Sequence, residues 1–382
     1  MLCSARSSLR ACKIAAVLGA TAISALITFA NGAATAAGNP PDNFVPTWQP
    51  HSFSRPLLLQ DEGSFFVGGQ QIHTDFPSTT PTGLNAPGTY TVNQMYVHYW
   101  IPLTGFGPQK IPVIMVHGSN HTGVTYETTP DGREGWATYF VRQGYPVYVV
   151  DQAGRGRSSF DPTSVNQAIV QQNLSVLPSA GFQLYPREGA WVNFLFGPSY
   201  GVAWPDERFP LGALDEYTAQ LVPNTEVTLV NGGTNTINDL AALLDKIGPA
   251  VIIVHSQSGT YGLGAVVQRS NLVKGLISVE GGCTPITQSD VNSYYRNVPF
   301  LSLWGDHSVG AVGANGDARR TGCQATVSAF KSAGGNATFL SLPDDLGIHG
   351  NSHMMMMDNN NLQLADILMY WIRLNVEHDR RY

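Results

Sequence analysis

The stretch Val251-Ile-Ile-Val-His-Ser-Gln-Ser-Gly259 decides the fold of this chain. Its first four residues are apolar and β-branched, so they predict a buried strand. A turn of small and polar residues follows, and residues 260–268 then predict a helix whose glycines allow close packing. A buried strand, a tight turn and a close-packed helix in succession indicate one unit of a parallel α/β sheet.

Ser256 lies at the apex of that turn. Its hydroxyl is expected at the carboxyl edge of the sheet, where the following N–H groups open the helix at its positive end. A nucleophilic serine in such a turn usually has glycine two residues before it and two after it, whereas this sequence has Val254 and Ser258. A serine-rich helix cap after a core strand is the alternative interpretation.

Further strands and helices extend this unit into an α/β fold. Apolar runs predict buried strands at 113–116, 147–150, 275–279, 298–304 and 337–341, and helical patterns fall at 135–143, 238–246 and 362–374. Strands that alternate with helices predict a mostly parallel sheet flanked by helices. Before them, short strands at 64–67, 88–92 and 95–101 predict an antiparallel N-terminal extension, and residues 37–60 predict a surface arm.

The first 36 residues resemble a secretory signal. Three basic residues precede the uncharged apolar segment 14–30, and Ala34-Thr35-Ala36 supplies a small-residue cleavage site. A membrane anchor is the competing interpretation, because seventeen residues approach the length of a span. The small residues at its end favour cleavage, which leaves 37–382 as one domain with no membrane segment.

A long insertion interrupts the predicted sheet. About a hundred residues separate the strand that ends at Asp151 from the one that begins at Val251. A simple crossover needs far fewer, so residues about 160–235 are predicted to form an inserted cap. The insertion is rich in aromatic residues, which line pockets for apolar ligands or form a small core of their own.

Charge and composition exclude several classes of function. Charged residues make up 13% of the chain, with 40 glycines and 24 prolines, which indicates a loop-rich globular protein. The formal charge of −6 becomes −9 when the three basic residues of the signal are removed. No basic cluster remains, so neither nucleic acid nor an anionic membrane is an expected partner.

Two cysteines remain after the signal. Cys283 and Cys323 are an even pair in a chain expected in an oxidising compartment, so they predict one disulfide. Two free buried thiols are the alternative.

A serine hydroxyl needs a base, and histidines after the last strand are the natural candidates. His349 and His353 both qualify, and His353 is favoured because it directly precedes the region of the final helix. The side chain of His255 is predicted to point to the other side of the turn from Ser256, where it packs or orients locally.

The base needs a carboxylate, and the developing oxyanion needs N–H donors. Glu280 and Asp306 each end a predicted strand, and both stay open as the acid. A His-Gly turn follows the strand 113–116, so the N–H groups of Ser119 and Gln257 are the predicted oxyanion donors.

No metal or cofactor is expected. His117 and His121, like His349 and His353, are four residues apart, but neither pair falls in a predicted helix. No glycine-rich nucleotide motif follows the first parallel strand, and the turn 154–158 is predicted to shape its own loop.

Taken together, these segments resemble the α/β-hydrolases, and they are most similar to bacterial serine carboxylesterases with a His-Ser-Gln-Ser-Gly nucleophile elbow. The matching segments are 94–97, 116–118, 126–133, 151–158, 255–259 and 350–353. The resemblance implies Ser256 as nucleophile, His353 as base and Glu280 as acid. It also implies the N–H groups of Ser119 and Gln257 as oxyanion donors.

The sequence therefore predicts a secreted or periplasmic serine hydrolase that cleaves a small hydrophobic or aryl ester. Two alternatives stay open: a non-catalytic binding protein on the same fold, and a lyase or other carbonyl-processing enzyme with the same triad. A homodimer is an assembly that the sequence leaves open.

Overall fold

The computed structural model describes residues 56–74, 86–103, 110–177, 182–311 and 315–378. The predicted signal, 1–36, and all but the end of the predicted arm, 37–60, lie outside the described residues. Among the helices that are described, none is long and apolar enough to cross a membrane.

The predicted mostly parallel α/β sheet is confirmed. Within the described residues it has eight strands, in the spatial order β1-β2-β4-β3-β5-β6-β7-β8. The strands are β1 (Leu59–Thr74), β2 (Gly88–Pro102), β3 (Val113–Val116), β4 (Val147–Asp151), β5 (Ala250–His255), β6 (Val273–Val279), β7 (Phe300–Trp304) and β8 (Ala337–Ser341). Strands β3 to β8 pair in parallel, while β2 pairs antiparallel with both β1 and β4.

The antiparallel extension is longer than the sequence predicts. The separate strands expected at 88–92 and 95–101 form the single strand β2, because Asn93 does not end it. Asn93 adopts a left-handed conformation (φ 61°) opposite Gly68 and Gly69, which also have positive φ, and the ladder resumes on both sides. The positive φ of Asn93 on β2 is matched by the positive φ of the two glycines on β1. The two strands therefore stay paired, although asparagine usually favours a turn.

Helices cover both faces of the sheet. Those of six residues or more within the described ranges are α1 (Trp136–Arg142), α2 (Thr163–Gln171), α3 (Arg187–Asn193), α4 (Leu214–Ala219), α5 (Thr234–Ile247), α6 (Ser258–Arg269), α7 (Asp317–Ser332) and α8 (Asn361–Asn375). Shorter helical segments are Val124–Glu127, Leu174–Val176, Leu211–Ala213, Leu229–Asn231, Gln288–Asp290, Val291–Tyr295 and Leu342–Leu346. They fall in the connections between the longer elements.

Two hydrophobic clusters form the core, one on each face of the sheet. In β5, Val251 and Ile253 belong to one cluster, whereas Ile252 and Val254 belong to the other. Successive side chains of a strand point to opposite faces, so a strand buried on both faces must be apolar throughout. The continuous run at the start of the deciding stretch is thereby explained.

The segment 160–235 contributes helices and no strand of the sheet among its described residues. Its rings pack on one another: Phe196 stacks on Phe209 at 4.0 Å between ring centroids, and Tyr217 contacts both of them edge-on. Phe194 extends this aromatic cluster to the ring of His353. The rings therefore form a small core that also reaches the candidate base.

The predicted disulfide between Cys283 and Cys323 is present, with 5.2 Å between the Cα atoms. It joins the segment after β6 to helix α7. Removing it with the double substitution C283S/C323S is expected to lower the free energy of unfolding by about 2–4 kcal/mol. Without the bridge, the unfolded chain has more conformational entropy.

Urea denaturation of both proteins measures this loss. Wild-type protein in reductant is the control, and it should approach the stability of the double variant. An unchanged free energy of unfolding would show that the bridge does not contribute to stability.

Candidate active site

The turn between β5 and α6 holds Ser256 in a strained conformation. Its backbone φ is +55°, a value that residues other than glycine rarely adopt. The surroundings fix this conformation: the N–H of Ser256 donates to Val279 O at 3.2 Å, and its carbonyl accepts from the N–H groups of Gly259 and Gly282 at 3.1 and 2.8 Å. Strain that several contacts maintain is typical of a functional position.

Ser258 explains why this turn departs from the usual glycine pattern. Its buried hydroxyl lies 2.9 Å from both Val116 O and His255 O and accepts from the N–H of His255. The close approach to Ser256 occurs instead at Gly118, where a Cβ would lie 2.8 Å from Ser256 Cβ. The side chain of Ser258 thus ties the turn to β3, and Gly118 supplies the space beside Ser256.

His353 and Glu280 form a buried pair. His353 Nδ1 lies 2.6 Å from Glu280 Oε2, and both side chains are almost fully excluded from solvent. The N–H of His353 donates to Phe194 O, and the two rings stack. With Nδ1–H donating to the carboxylate, Nε2 is left as an acceptor, and it is a buried nitrogen without a partner.

Glu280 is held as firmly as the serine. Its φ is +43°, and Oε1 accepts from the N–H of Gly305 at 2.9 Å. Burial raises the pKa of Glu280 to about 8. Burial also places the pKa of His353 well below the ordinary value, and the positive charge of Arg319 lowers it further. The pair therefore lies where either charge is costly, as in many catalytic sites.

The other candidates for base and acid pair with each other. His349 Nδ1 lies 3.2 Å from Asp306 Oδ2, and the His349 side chain is 59% exposed. Asp306 also accepts from the N–H of Gly350 at 3.0 Å. At Gly350 (φ +80°) a Cβ would lie 1.9 Å from Asp206 O, so only glycine fits this loop before His353. The structure brings His353 to Glu280 and leaves Asp306 with His349.

His255 has an orienting role, but it packs against the candidate base. Its ring lies 4.6 Å from the His353 ring, and its Nε2–H donates to His353 O at 2.9 Å. Burial lowers the pKa of His255 well below its ordinary value, so the ring is neutral. A neutral ring in this position fixes the backbone at His353 without adding charge.

The two predicted oxyanion segments are linked by a residue with no assigned chemistry. Arg155 is fully buried, and it donates to Gly118 O at 3.0 Å and to Gln257 Oε1 at 2.6 Å. On the other side, Ser119 Oγ accepts from Asn224 Nδ2 at 2.8 Å. The turn 154–158 was predicted only to shape its own loop, whereas Arg155 hydrogen-bonds to both segments that carry the predicted oxyanion donors.

The histidines considered as metal ligands have other partners. His117 Nε2 accepts from the N–H of Gln152 at 3.0 Å, and burial lowers the pKa of His117 to about 3. His121 lies 2.6 Å from Ser119 O and 3.0 Å from the hydroxyl of Tyr217. Elsewhere in the described ranges, ligand atoms of Asp206, Asp306 and His307 lie within 4.8 Å of one another.

Arg319 is the residue of this site that the sequence analysis missed. It lies at the start of α7, and its Nη1 donates to Ser256 Oγ at 3.1 Å. The serine oxygen therefore accepts from Arg319, and the expected hydrogen bond from Ser256 to His353 is not made. Arg319 and Arg320 are adjacent on a helix of mixed polarity, which ordinarily indicates a solvated face, so no signal in the sequence identified Arg319.

Comparisons with known proteins agree with this fold. A bacterial esterase of known structure is 39% identical to this chain, with a TM-score of 0.76, and the match covers 86% of this chain and 100% of that chain. A protein of a fungal species (strain ATCC 74256) that is named "Probable secreted lipase phiG" is 27% identical over 378 residues, 84% of this chain and 96% of the fungal protein. No protein-family model matches the chain.

A strained serine between a parallel strand and a helix, a buried carboxylate directly after the next strand and a buried histidine beyond the last strand form an arrangement typical of the α/β-hydrolases. The chain belongs to the α/β-hydrolase superfamily.

Proposed function

We propose that the protein hydrolyses carboxylic esters through an acyl-enzyme formed on Ser256. At the coarser level it is an ester hydrolase of its superfamily. In the finer proposal His353 is the base, Glu280 is the acid that orients it, and the N–H groups of Ser119 and Gln257 stabilise the oxyanion. No cofactor takes part in this chemistry.

Each step conserves atoms and charge. Ser256 Oγ attacks the ester carbonyl while His353 Nε2 takes the hydroxyl proton, and the resulting alkoxide is bound by the N–H donors. The carbon–oxygen bond to the alcohol then breaks as His353 returns the proton to that oxygen. Water attacks the acyl-enzyme with His353 again as base, and the acid leaves Ser256 with its proton restored.

The pairing of His353 with Glu280 is the observation that carries this proposal. It commits Nδ1 to a carboxylate at 2.6 Å and leaves Nε2 buried without a partner. A buried acceptor without a donor is costly unless a reacting group fills the place. The hydroxyl of the strained Ser256 is the group proposed to fill it. Arg319 donates a hydrogen bond to that hydroxyl, and its charge also acts on His353.

We further propose that the acyl or alcohol part of the substrate is hydrophobic or aromatic and that the segment 160–235 acts as the cap. Phe194 stacks on His353, and Tyr185 packs edge-on against Phe194 at 5.6 Å. Ser256 is only 3% exposed, so the substrate must reach a buried hydroxyl, and the ring of Phe194 lies beside its proposed base. Apolar walls favour a ligand that buries apolar surface.

Export of the protein is part of the same proposal. Residues 1–36 are proposed as a cleaved signal, the disulfide is typical of oxidising compartments, and the fungal relative carries the word "secreted" in its name. Mass spectrometry of the exported protein tests this directly. A mature chain that begins at Ala37 is expected, and retention of residues 1–36 in the exported protein would contradict it.

Hydrolysis of 4-nitrophenyl butyrate in ¹⁸O-water tests the mechanism. One heavy oxygen is expected in the butyrate and none in the phenol. Acid-quenched enzyme should carry a butyryl group on the peptide that contains Ser256. Heavy butyrate without any enzyme adduct would favour direct attack of water.

The variant Arg319→Met is expected to move the acidic limb of kcat/KM to higher pH, by about one unit. The positive charge of Arg319 lowers the pKa of both His353 and Glu280. Removing the charge raises both pKa values, so protons inactivate the pair at a higher pH. The profile is measured with a neutral ester that does not itself titrate. An acidic limb at the same pH in the variant and the wild type would show that Arg319 does not shift the pKa values of His353 and Glu280.

A further inference from the structure

Arg319 is a cation placed against the nucleophile. Its Nη1 donates to Ser256 Oγ at 3.1 Å, and its charge acts on His353, His255 and Glu280. Its side chain is half-buried, and burial is the largest influence on its pKa, which it lowers. This guanidinium therefore belongs to the space in which the ester must react.

No carboxylate of the described residues forms an ion pair with Arg319. The acid that interacts with it, Glu280, already accepts from His353 Nδ1 and from the N–H of Gly305. The neighbouring Arg320, by comparison, forms an ion pair, with 3.6 Å between its Nη2 and Asp344 Oδ2. A partly desolvated charge whose interacting carboxylate already accepts from other donors is costly, so an anion is the natural ligand of Arg319.

The position of Arg319 is fixed by the fold. One helical turn further on, Cys323 is bonded to Cys283, and Thr326 Oγ1 donates to Thr284 O at 3.0 Å. These contacts attach α7 to the segment that follows Glu280. The anchored helix fixes the backbone from which Arg319 extends, and the planar donors of a guanidinium suit the two oxygens of a carboxylate.

Without an anion, the charge of Arg319 opposes the proposed chemistry. His353 must gain a proton as Ser256 attacks, and a nearby positive charge disfavours the protonated ring. In this arrangement Ser256 Oγ accepts from Arg319, and His353 Nε2 has no hydrogen-bond partner. A carboxylate on the substrate removes both obstacles, because it neutralises the guanidinium and takes its donors.

We propose that Arg319 is a specificity-determining residue that selects esters with a free carboxylate close to the scissile bond, such as half-esters of short dicarboxylic acids. Arg319 binds the carboxylate through paired N–H donors, and Ser256 Oγ is released to donate to His353 Nε2. The rings of Phe194 and Tyr185 then contact the apolar part of the ester. This inference rests on the proposed function of Ser256 and His353.

Two esters with the same leaving group test this specificity: benzyl hydrogen succinate, which carries a carboxylate, and benzyl succinamate, in which a neutral amide of the same shape replaces it. Release of benzyl alcohol is measured for both. The wild-type enzyme is expected to have the higher kcat/KM for the acid. Arg319→Met should reduce that preference by about 10- to 100-fold, since hydrogen bonds between charged groups are the strong ones.

Matched variants separate this role from a structural one. Arg320→Met makes the same change one residue along and should keep the preference, whereas Arg319→Lys keeps the charge and should retain part of it. Where Arg319→Met does not fold, inhibition of the wild-type enzyme decides: succinate should compete with substrate and succinamide should not. Equal inhibition by succinate and succinamide, or by neither compound, would overturn the inference.

The remaining outcomes also discriminate. Equal losses on both esters in Arg319→Met would make Arg319 a general stabiliser of the transition state and would overturn the selection of anions. Equal wild-type rates on the two esters, with an acyl group on Ser256, would overturn this inference and leave the proposed function intact. No turnover of either ester, together with no covalent labelling of Ser256, would overturn both.

Discussion

Replacing Ser256 by alanine is expected to lower kcat for ester hydrolysis by about 10⁴-fold or more, which is the usual loss when a serine nucleophile is removed. Without Oγ no acyl-enzyme forms, and only direct attack of water remains. The fold should persist, because the described structure gives this hydroxyl a single hydrogen bond, from Arg319. Steady-state turnover of 4-nitrophenyl butyrate and the melting temperature are measured together.

The surface serine Ser289 supplies the control. Its side chain is exposed, so Ser289→Ala should keep both turnover and melting temperature. Turnover of Ser256→Ala within tenfold of the wild type, in a protein that melts normally, would remove Ser256 from the mechanism.

Replacing His353 by glutamine is expected to cost nearly as much, again about 10⁴-fold in kcat. The amide cannot accept the serine proton at neutral pH, so the attacking oxygen stays protonated. The variant should fold if it keeps the hydrogen bond to Glu280. Turnover measures the loss of kcat. Near-ultraviolet circular dichroism, which reports the packing of the rings around Phe194, measures whether the variant folds.

The same assay separates the two candidate acids. Glu280→Gln is expected to lose about 10²- to 10⁴-fold, because the amide no longer stabilises the protonated His353. Asp306→Asn should lose far less, since Asp306 bonds to His349 and to the N–H of Gly350. A larger loss in Asp306→Asn than in Glu280→Gln would assign the acid to Asp306.

Much of the fold was predictable because its central strands are buried on both faces. Runs such as 251–254 and 113–116 are apolar without alternation, and the observed strands begin and end within two residues of these runs. The antiparallel edge was less predictable. Asn93 and the glycines opposite it read as turn residues, yet a matched irregularity in two paired strands keeps the ladder together. Pairing between distant segments decides this, and local patterns do not encode it.

The candidate site was predictable to the extent that it lies at strand ends. Ser256 and Glu280 follow β5 and β6 directly, so placing the strands also placed these residues. Arg155 and Arg319 reach the site from a loop and from a helix, through side-chain contacts that no spacing in the sequence reports. Long side chains in such positions need the tertiary structure before a role can be assigned.

Covalent labelling by a fluorophosphonate probe, followed by peptide mapping, tests the central claim most directly. A phosphonyl group is expected on Ser256 in the wild-type protein. Labelling should be lost in Ser256→Ala, kept in Ser289→Ala, and much slower in His353→Gln. A wild-type protein that carries no label under these conditions, or that carries it on another serine, would contradict the assignment of Ser256 as the nucleophile.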